Sequence, residues 1–260
     1  MVADQERGGR NTTSYPGGFL HRQYLNCFCS IAQGLLGKFP EVNLRFISSQ
    51  WDIIVVIETW LTADISDSEL SLSEMSLLRS DRPTRGGGVL LYYRNSLDYE
   101  QIYPPVSTPD TLWCRLKLSK HDDCLIGVVY RPPSSSETAN ETLSLTMSHI
   151  LTQKFTHVLL MGDFSCPYLN QSATVCSFFE HQFKRLIDSL PLYNHMKVAT
   201  RFVNLQLPSI LDLVLTNEEL MVQSVNVTPP LNAAIMQYLH SNMFVTLRFN
   251  EVPQATRADL

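Results

Sequence analysis

Apolar residues along this chain fall into short, mostly β-branched runs rather than long helical stripes, and several of those runs stop at an acid. Residues 158–161 read V-L-L-M and pass through Gly162 into Asp163, ahead of Phe164-Ser165-Cys166-Pro167. A continuous apolar run bounded by Gly and Pro predicts an inner strand covered on both faces. Residues 52–57 (D-I-I-V-V-I) predict a second such strand, and it delivers Glu58. Residues 209–216 (S-I-L-D-L-V-L-T) predict a third, with Asp212 in the middle of the run, where a charge needs a strong partner. Taken singly, Asp163 reads equally well as a turn residue and Glu58 as an exposed strand end, whereas Asp212 has no such ordinary reading. Three of them on strands that must lie together argue for a shared site.

The remaining pattern fills in the fold. Residues 22–29 form a short apolar stretch containing Asn26, and 38–50 predict a helix with Pro40 as its first residue. Residues 62–81 are Ser- and acid-rich and predict an irregular loop; 89–93 predict a strand directly after Gly86-Gly87-Gly88. Residues 111–118 and 124–130 predict a hairpin whose second arm ends in Tyr130-Arg131-Pro132-Pro133. Helices are expected over 138–153 and 173–189, and two more strands over 222–227 and 243–249. Interleaved strands that outnumber helices predict a mixed α/β domain of two sheets packed face to face, with helices outside. Glu58, Asp163 and Asp212 are expected to meet at one edge of it, with Tyr130 beside them. The polar residues 1–20 are expected to be a disordered tail, 21–250 the domain and 251–260 a second tail.

Composition changes the picture in three ways. The 260 residues contain no Gly/Ser- or Pro-rich linker, which favours one domain. A formal charge of -5 excludes a broad basic face, so a polyanionic substrate would need local arginines or a bound cation. Arg79, Arg82 and Arg85 form the one local basic knot, and the glycines after them lack the pattern of a phosphate-cradling loop. Six cysteines without paired spacing exclude a structural zinc site. No apolar leader or run of membrane-spanning length is present, so an intracellular protein, nuclear or cytoplasmic and without a membrane partner, is expected.

Carboxylates converging without a thiol or imidazole cluster suit a hard cation, Mg²⁺ or Mn²⁺, and attack of water on a phosphoester. The segments Glu58-Thr59-Trp60-Leu61, Arg85-Gly86-Gly87-Gly88-Val89, Val129-Tyr130-Arg131-Pro132-Pro133, Gly162-Asp163-Phe164 and Leu211-Asp212-Leu213-Val214 stand in this order. Together they resemble the endonuclease domain of LINE-type non-LTR retrotransposons, within the endonuclease/exonuclease/phosphatase superfamily. The resemblance implies a four-layer, deoxyribonuclease I-like sandwich and a Mg²⁺-dependent DNA endonuclease. It also implies a reverse transcriptase domain in the full element, absent from this chain. By the same resemblance Glu58 and Asn26 would hold the metal, Tyr130 would contact the scissile phosphate and Asp163 would activate water. Asp212 would orient the catalytic histidine, and Arg131, Arg85 and Ser165 would contact phosphate or DNA. The chain departs from the family pattern in two places. Ser165 replaces an Asn, and Ser241 and Asn242 stand where an Asp-His pair is expected. A degenerate, weakened nuclease is therefore expected, with a catalytically inactive relic of the fold and a phosphatase of the same superfamily as alternatives.

Overall fold

The computed structural model describes residues 24–47, 50–169, 177–203, 207–228, 238–240 and 242–249. Both expected tails, the first residues of the expected 173–189 helix and Ser241 lie outside them. The elements run β1 (Tyr24–Ile31), α1 (Phe39–Ile47), β2 (Ile53–Ile57), β3 (Met75–Ser80), β4 (Val89–Arg94), β5 (Asp98–Gln101), β6 (Thr111–Ser119), β7 (Asp122–Tyr130), α2 (Glu137–Leu151), β8 (His157–Asp163), α3 (Phe178–Ser189), β9 (Tyr193–Asn194), β10 (Arg201–Val203), β11 (Asp212–Thr216), β12 (Val222–Thr228), β13 (Tyr238–His240) and β14 (Asn242–Arg248).

These strands build two six-stranded mixed sheets, ordered β12-β14-β1-β2-β4-β3 and β5-β6-β7-β8-β11-β9, plus a β10-β13 ribbon. Side-chain alternation along each strand sorts the core into three layers. Cys27, Cys29, Ile53, Val55 and Ile57 of the first sheet meet Cys114, Ile126, Val128, Leu159, Met161 and Val214 of the second, between the sheets. Their neighbours Phe28, Ile54 and Val56 face outward onto Val42 and Phe46 of α1. Leu125, Leu160, Leu213 and Leu215 face outward onto α2 and α3, which contribute Leu143, Met147, Phe179 and Phe183. This is why β2 and β8 are apolar at every position: both of their faces are covered.

The same parity aims the chemistry. Tyr130, Asp163 and Asp212 are in step with Val128, Met161 and Val214, so all three belong to the inter-sheet face at the strand ends. Gly162 makes the approach possible. Its φ is +145°, and a Cβ there would lie 1.9 Å from the Val129 carbonyl oxygen of the parallel neighbour β7.

Some expectations need correction. The expected irregular loop 62–81 contains the edge strand β3, whose half-buried M-S-L-L-R-S shows no strict alternation, and a capped 3-10 turn at Asp67–Leu70. The short edge strand β5 (D-Y-E-Q) was equally invisible for lack of apolar residues. Asp212 opens β11 instead of standing within it, which puts it level with Asp163 across the antiparallel pair.

Candidate active site

Four strands deliver the site. Glu58 follows β2, Tyr130 ends β7, Asp163 ends β8 and Asp212 begins β11. Because β7 and β8 are parallel, Tyr130 is level with Asp163, and because β11 runs against β8, Asp212 is level with it from the other side. The Tyr130 hydroxyl donates to Glu58 Oε1 at 2.8 Å, linking the two sheets across the gap. Backbone geometry at Glu58 is unusual: Glu58 and Trp60 both lie in the left-handed region, at φ 53° and 54°. Amides of Thr59 and Trp60 donate to the carbonyls of Gly88 and Gly87, and Gly34 donates to the Glu58 carbonyl, so this conformation is held from both sides.

Asp163 is buried, and its Oδ1 accepts from both the amide (2.8 Å) and the hydroxyl (3.0 Å) of Ser165. Burial pushes its carboxyl up to about 7, against those hydrogen bonds, and the charge of Glu58 adds to the rise. Burial, then the charge of Asp163, pushes Asp212 well above the ordinary carboxylate range. Among the described residues Asp212 Oδ2 is buried without a hydrogen-bond partner. Thr200 Oγ1 accepts from the amides of Leu211 and Asp212, both at 3.2 Å, which fixes the start of β11. Burial also raises Glu58, although its bond from Tyr130 opposes the shift.

The two aspartates, whose folded pKa lies above the unfolded value, give a definite pH dependence. Their stabilisation is complete below the unfolded pKa of about 3.9 and is lost as pH rises through the folded value. In EDTA, Asp212→Asn is therefore expected to melt above the native chain at about pH 8, by several degrees at roughly 2–4 °C per kcal/mol. The gap should close toward about pH 4, where the native acids are neutral. A difference that does not grow with pH would show that Asp212 is not held protonated.

Three of the expected site residues take other places. Asn26 is near the start of β1, beside Asp52, whereas the strand's other end reaches Glu58. Five residues at about 3.3 Å each separate it from the level of Ile57, and its parity places it on the outer face. Its Oδ1 accepts from Thr246 Oγ1 at 3.2 Å, so it pins β1 to β14 and is no part of the acid cluster. Arg131 is buried, and its guanidinium is already used within the chain. Nε donates to Asn140 (2.8 Å), Nη1 to the carbonyls of Phe164 and Ser165 (3.2 Å each), and the group lies over Phe179 at 4.3 Å. It braces the turn after Asp163. Ser165 also turns inward, onto Asp163. Arg85 is exposed and lies over the Trp60 ring at 5.2 Å, next to Glu58. Asn242 begins β14, paired with Thr228 of β12.

One residue went unnoticed in the sequence. Asp110 is buried at φ 58°, and its Oδ1 accepts the Gly88 amide at 2.6 Å while its carbonyl accepts the Tyr130 amide at 3.0 Å. Arg82 binds both oxygens of that carboxylate. Asp110 stands in T-P-D-T just before a strand, where it reads as a turn residue, so no local signal marked it.

Two mixed sheets packed face to face, with acids at their strand ends along one edge, define the endonuclease/exonuclease/phosphatase fold. The chain's second half also carries a family signature: the model of the endonuclease-reverse transcriptase family matches residues 124–233. Among solved structures, an AP endonuclease from Leishmania major superposes with a TM-score of 0.69 at 12% identity, over 93% of this chain and 92% of its own. A 3′ phosphatase from Neisseria, bound to a product DNA hairpin, gives 0.65 at 15%, over 86% and 100%. The endonuclease domain of TRAS1, a telomere-specific non-LTR retrotransposon, gives 0.61 at 12%, over 87% and 100%. No curated protein matches the chain. The likeness to retrotransposon endonuclease domains, read first from five ordered motifs, is thus found again in the family match and in the fold.

Proposed function

We propose that the chain is a divalent-cation-dependent phosphodiesterase that nicks DNA, slowly. The observation that carries this reading is the meeting of Glu58, Tyr130, Asp163 and Asp212, from four strands, at one edge of the sandwich. The donor set fits a hard cation. Its atoms are carboxylate oxygens, one of them is buried without a partner, and their charges raise one another's pKa until something positive neutralises them. Among the described residues no group of three or more His, Cys, Asp or Glu is gathered closely enough to hold a metal ion by itself. Mg²⁺ typically needs only one or two carboxylates beside water and substrate oxygens, so a full cage is not required. When bound, the cation would neutralise charge on the phosphate and favour ionisation of water.

The protein's own groups then have separable tasks. Glu58 would hold the cation, oriented by the Tyr130 hydroxyl. Asp163, poised at about 7, can take a proton from water at neutral pH, and Ser165 keeps its Oδ1 fixed. Asp212 lies level with it and supplies a second carboxylate. His240 of β13 pairs directly opposite Arg201 of β10, and the charge of Arg201 acts on Asp163.

Supercoiled plasmid provides the test. Native protein should convert it to nicked circles in Mg²⁺ and not in EDTA, with Asp163→Ala slower by about 10²-fold or more. Calorimetry should show Mg²⁺ binding weakened by Glu58→Gln. Nicking that persists in EDTA, or Mg²⁺ binding indifferent to Glu58, would refute the reading. Release of phosphate from a 3′-phosphorylated oligonucleotide without nicking would favour the phosphatase alternative.

A further inference from the structure

We propose that Arg82, gripped by the buried Asp110, receives a substrate phosphate at the mouth of the site. This rests on the phosphodiesterase reading and names the cation that reading still lacks.

Two other arginines of this end of the sandwich are held within the chain. Arg131 is buried among carbonyls and an aromatic ring. Arg79 is tied to Asp81, Asp67 and the carbonyls of Ile65 and Thr62. Arg82 differs in having one edge held and one edge free. Its Nε donates to Asp110 Oδ1 (3.1 Å) and Oδ2 (2.9 Å), and its Nη2 also bonds Oδ2. Among the described residues Nη1 has no acceptor, and the side chain keeps a third of its surface exposed. A guanidinium presents its donors in a rigid planar fork, so fixing one edge fixes the direction of the other.

Asp110 gives that fork a defined place. It holds the Gly88 amide with its side chain and the Tyr130 amide with its carbonyl, which ties the guanidinium to both halves of the Glu58–Tyr130 link. The charge of Arg82 is felt at both Glu58 and Tyr130. Gly87 is part of the device: a Cβ there would lie 2.4 Å from Arg82 Nε and 2.7 Å from Asp110 Oδ1. A half-exposed ion pair of this kind contributes little to stability by itself. A pre-oriented fork with free donors beside a carboxylate cluster is a receptor for phosphate oxygens.

Binding of a fluorescein-labelled DNA duplex, followed by anisotropy in Mg²⁺ on an Asp163→Asn background so that the duplex stays intact, tests this. Arg82→Lys keeps the charge and loses the fork, and should weaken binding about tenfold. The pair Arg82→Gln with Asp110→Asn leaves no buried charge unpaired. It should lower the slope of log affinity against log salt by about one. Melting temperatures recorded in parallel report folding, and Arg82→Lys preserves the test if the double variant unfolds. Altered melting with affinity and salt slope unchanged would make the pair purely structural and overturn the inference, as would failure of the background protein to bind the duplex. Arg82-dependent binding in a native chain that never nicks would sink the catalytic reading alone.

Discussion

Alanine at Gly162 is expected to unfold the chain or leave it without a cooperative transition. The added Cβ would sit 1.9 Å from the Val129 carbonyl oxygen and 2.9–3.0 Å from two further backbone atoms of β7, where no side chain can yield. Residue 162 also has φ +145°, which L-residues rarely adopt. Relief requires β8 to move away from β7, breaking a parallel ladder at the centre of the sheet and the Tyr130–Asp163 register together. Overpacking costs typically about 1–3 kcal/mol, and backbone strain adds to it, so a loss of about 3 kcal/mol or more is expected. Gly37→Ala is the control, because nothing lies within 4 Å of its Cβ position. Urea unfolding of the two variants checks the claim. A Gly162→Ala protein as stable as Gly37→Ala would mean that the β7–β8 contact is looser than the structure shows.

Asp163→Asn should separate activity from stability. If Asp163 takes the proton from water, plasmid nicking should fall by about 10²–10⁴-fold or further. Stability in EDTA at about pH 8 should rise, because the substitution removes a buried charge that repels Asp212 and Glu58 and keeps an acceptor for the Ser165 amide. A side chain that only supports the turn after β8 would lose stability and activity together. The informative result is the opposite signs, measured on one preparation by melting and by nicking. Equal nicking in native and Asp163→Asn protein would remove Asp163 from the chemistry.

Both predictions turn on residues that were visible in the linear pattern, and the reason is local. Apolar runs such as I-I-V-V-I and V-L-L-M specify buried strands through composition and period alone, and the residue that ends such a run must stand at a sheet edge. Glu58 and Asp163 were legible for that reason, as was the two-sheet architecture. Edge strands β3 and β5 were not, because one uncovered side needs no apolar pattern. Tertiary structure decided everything that depends on which end of one strand meets which end of another. Asn26 and Glu58 both belong to apolar strands, yet the parallel register of β1 and β2 leaves them at opposite ends. Arg131 follows Tyr130 directly, but the tyrosine faces the gap between the sheets and the arginine turns into the layer under α3. Arg82 and Asp110 are 28 residues apart, and only the closing of one sheet over the other makes them a pair. Local sequence fixes what a strand is and which of its residues share a face. The partners of its polar ends are set by chain reversals elsewhere, whose geometry no short segment encodes.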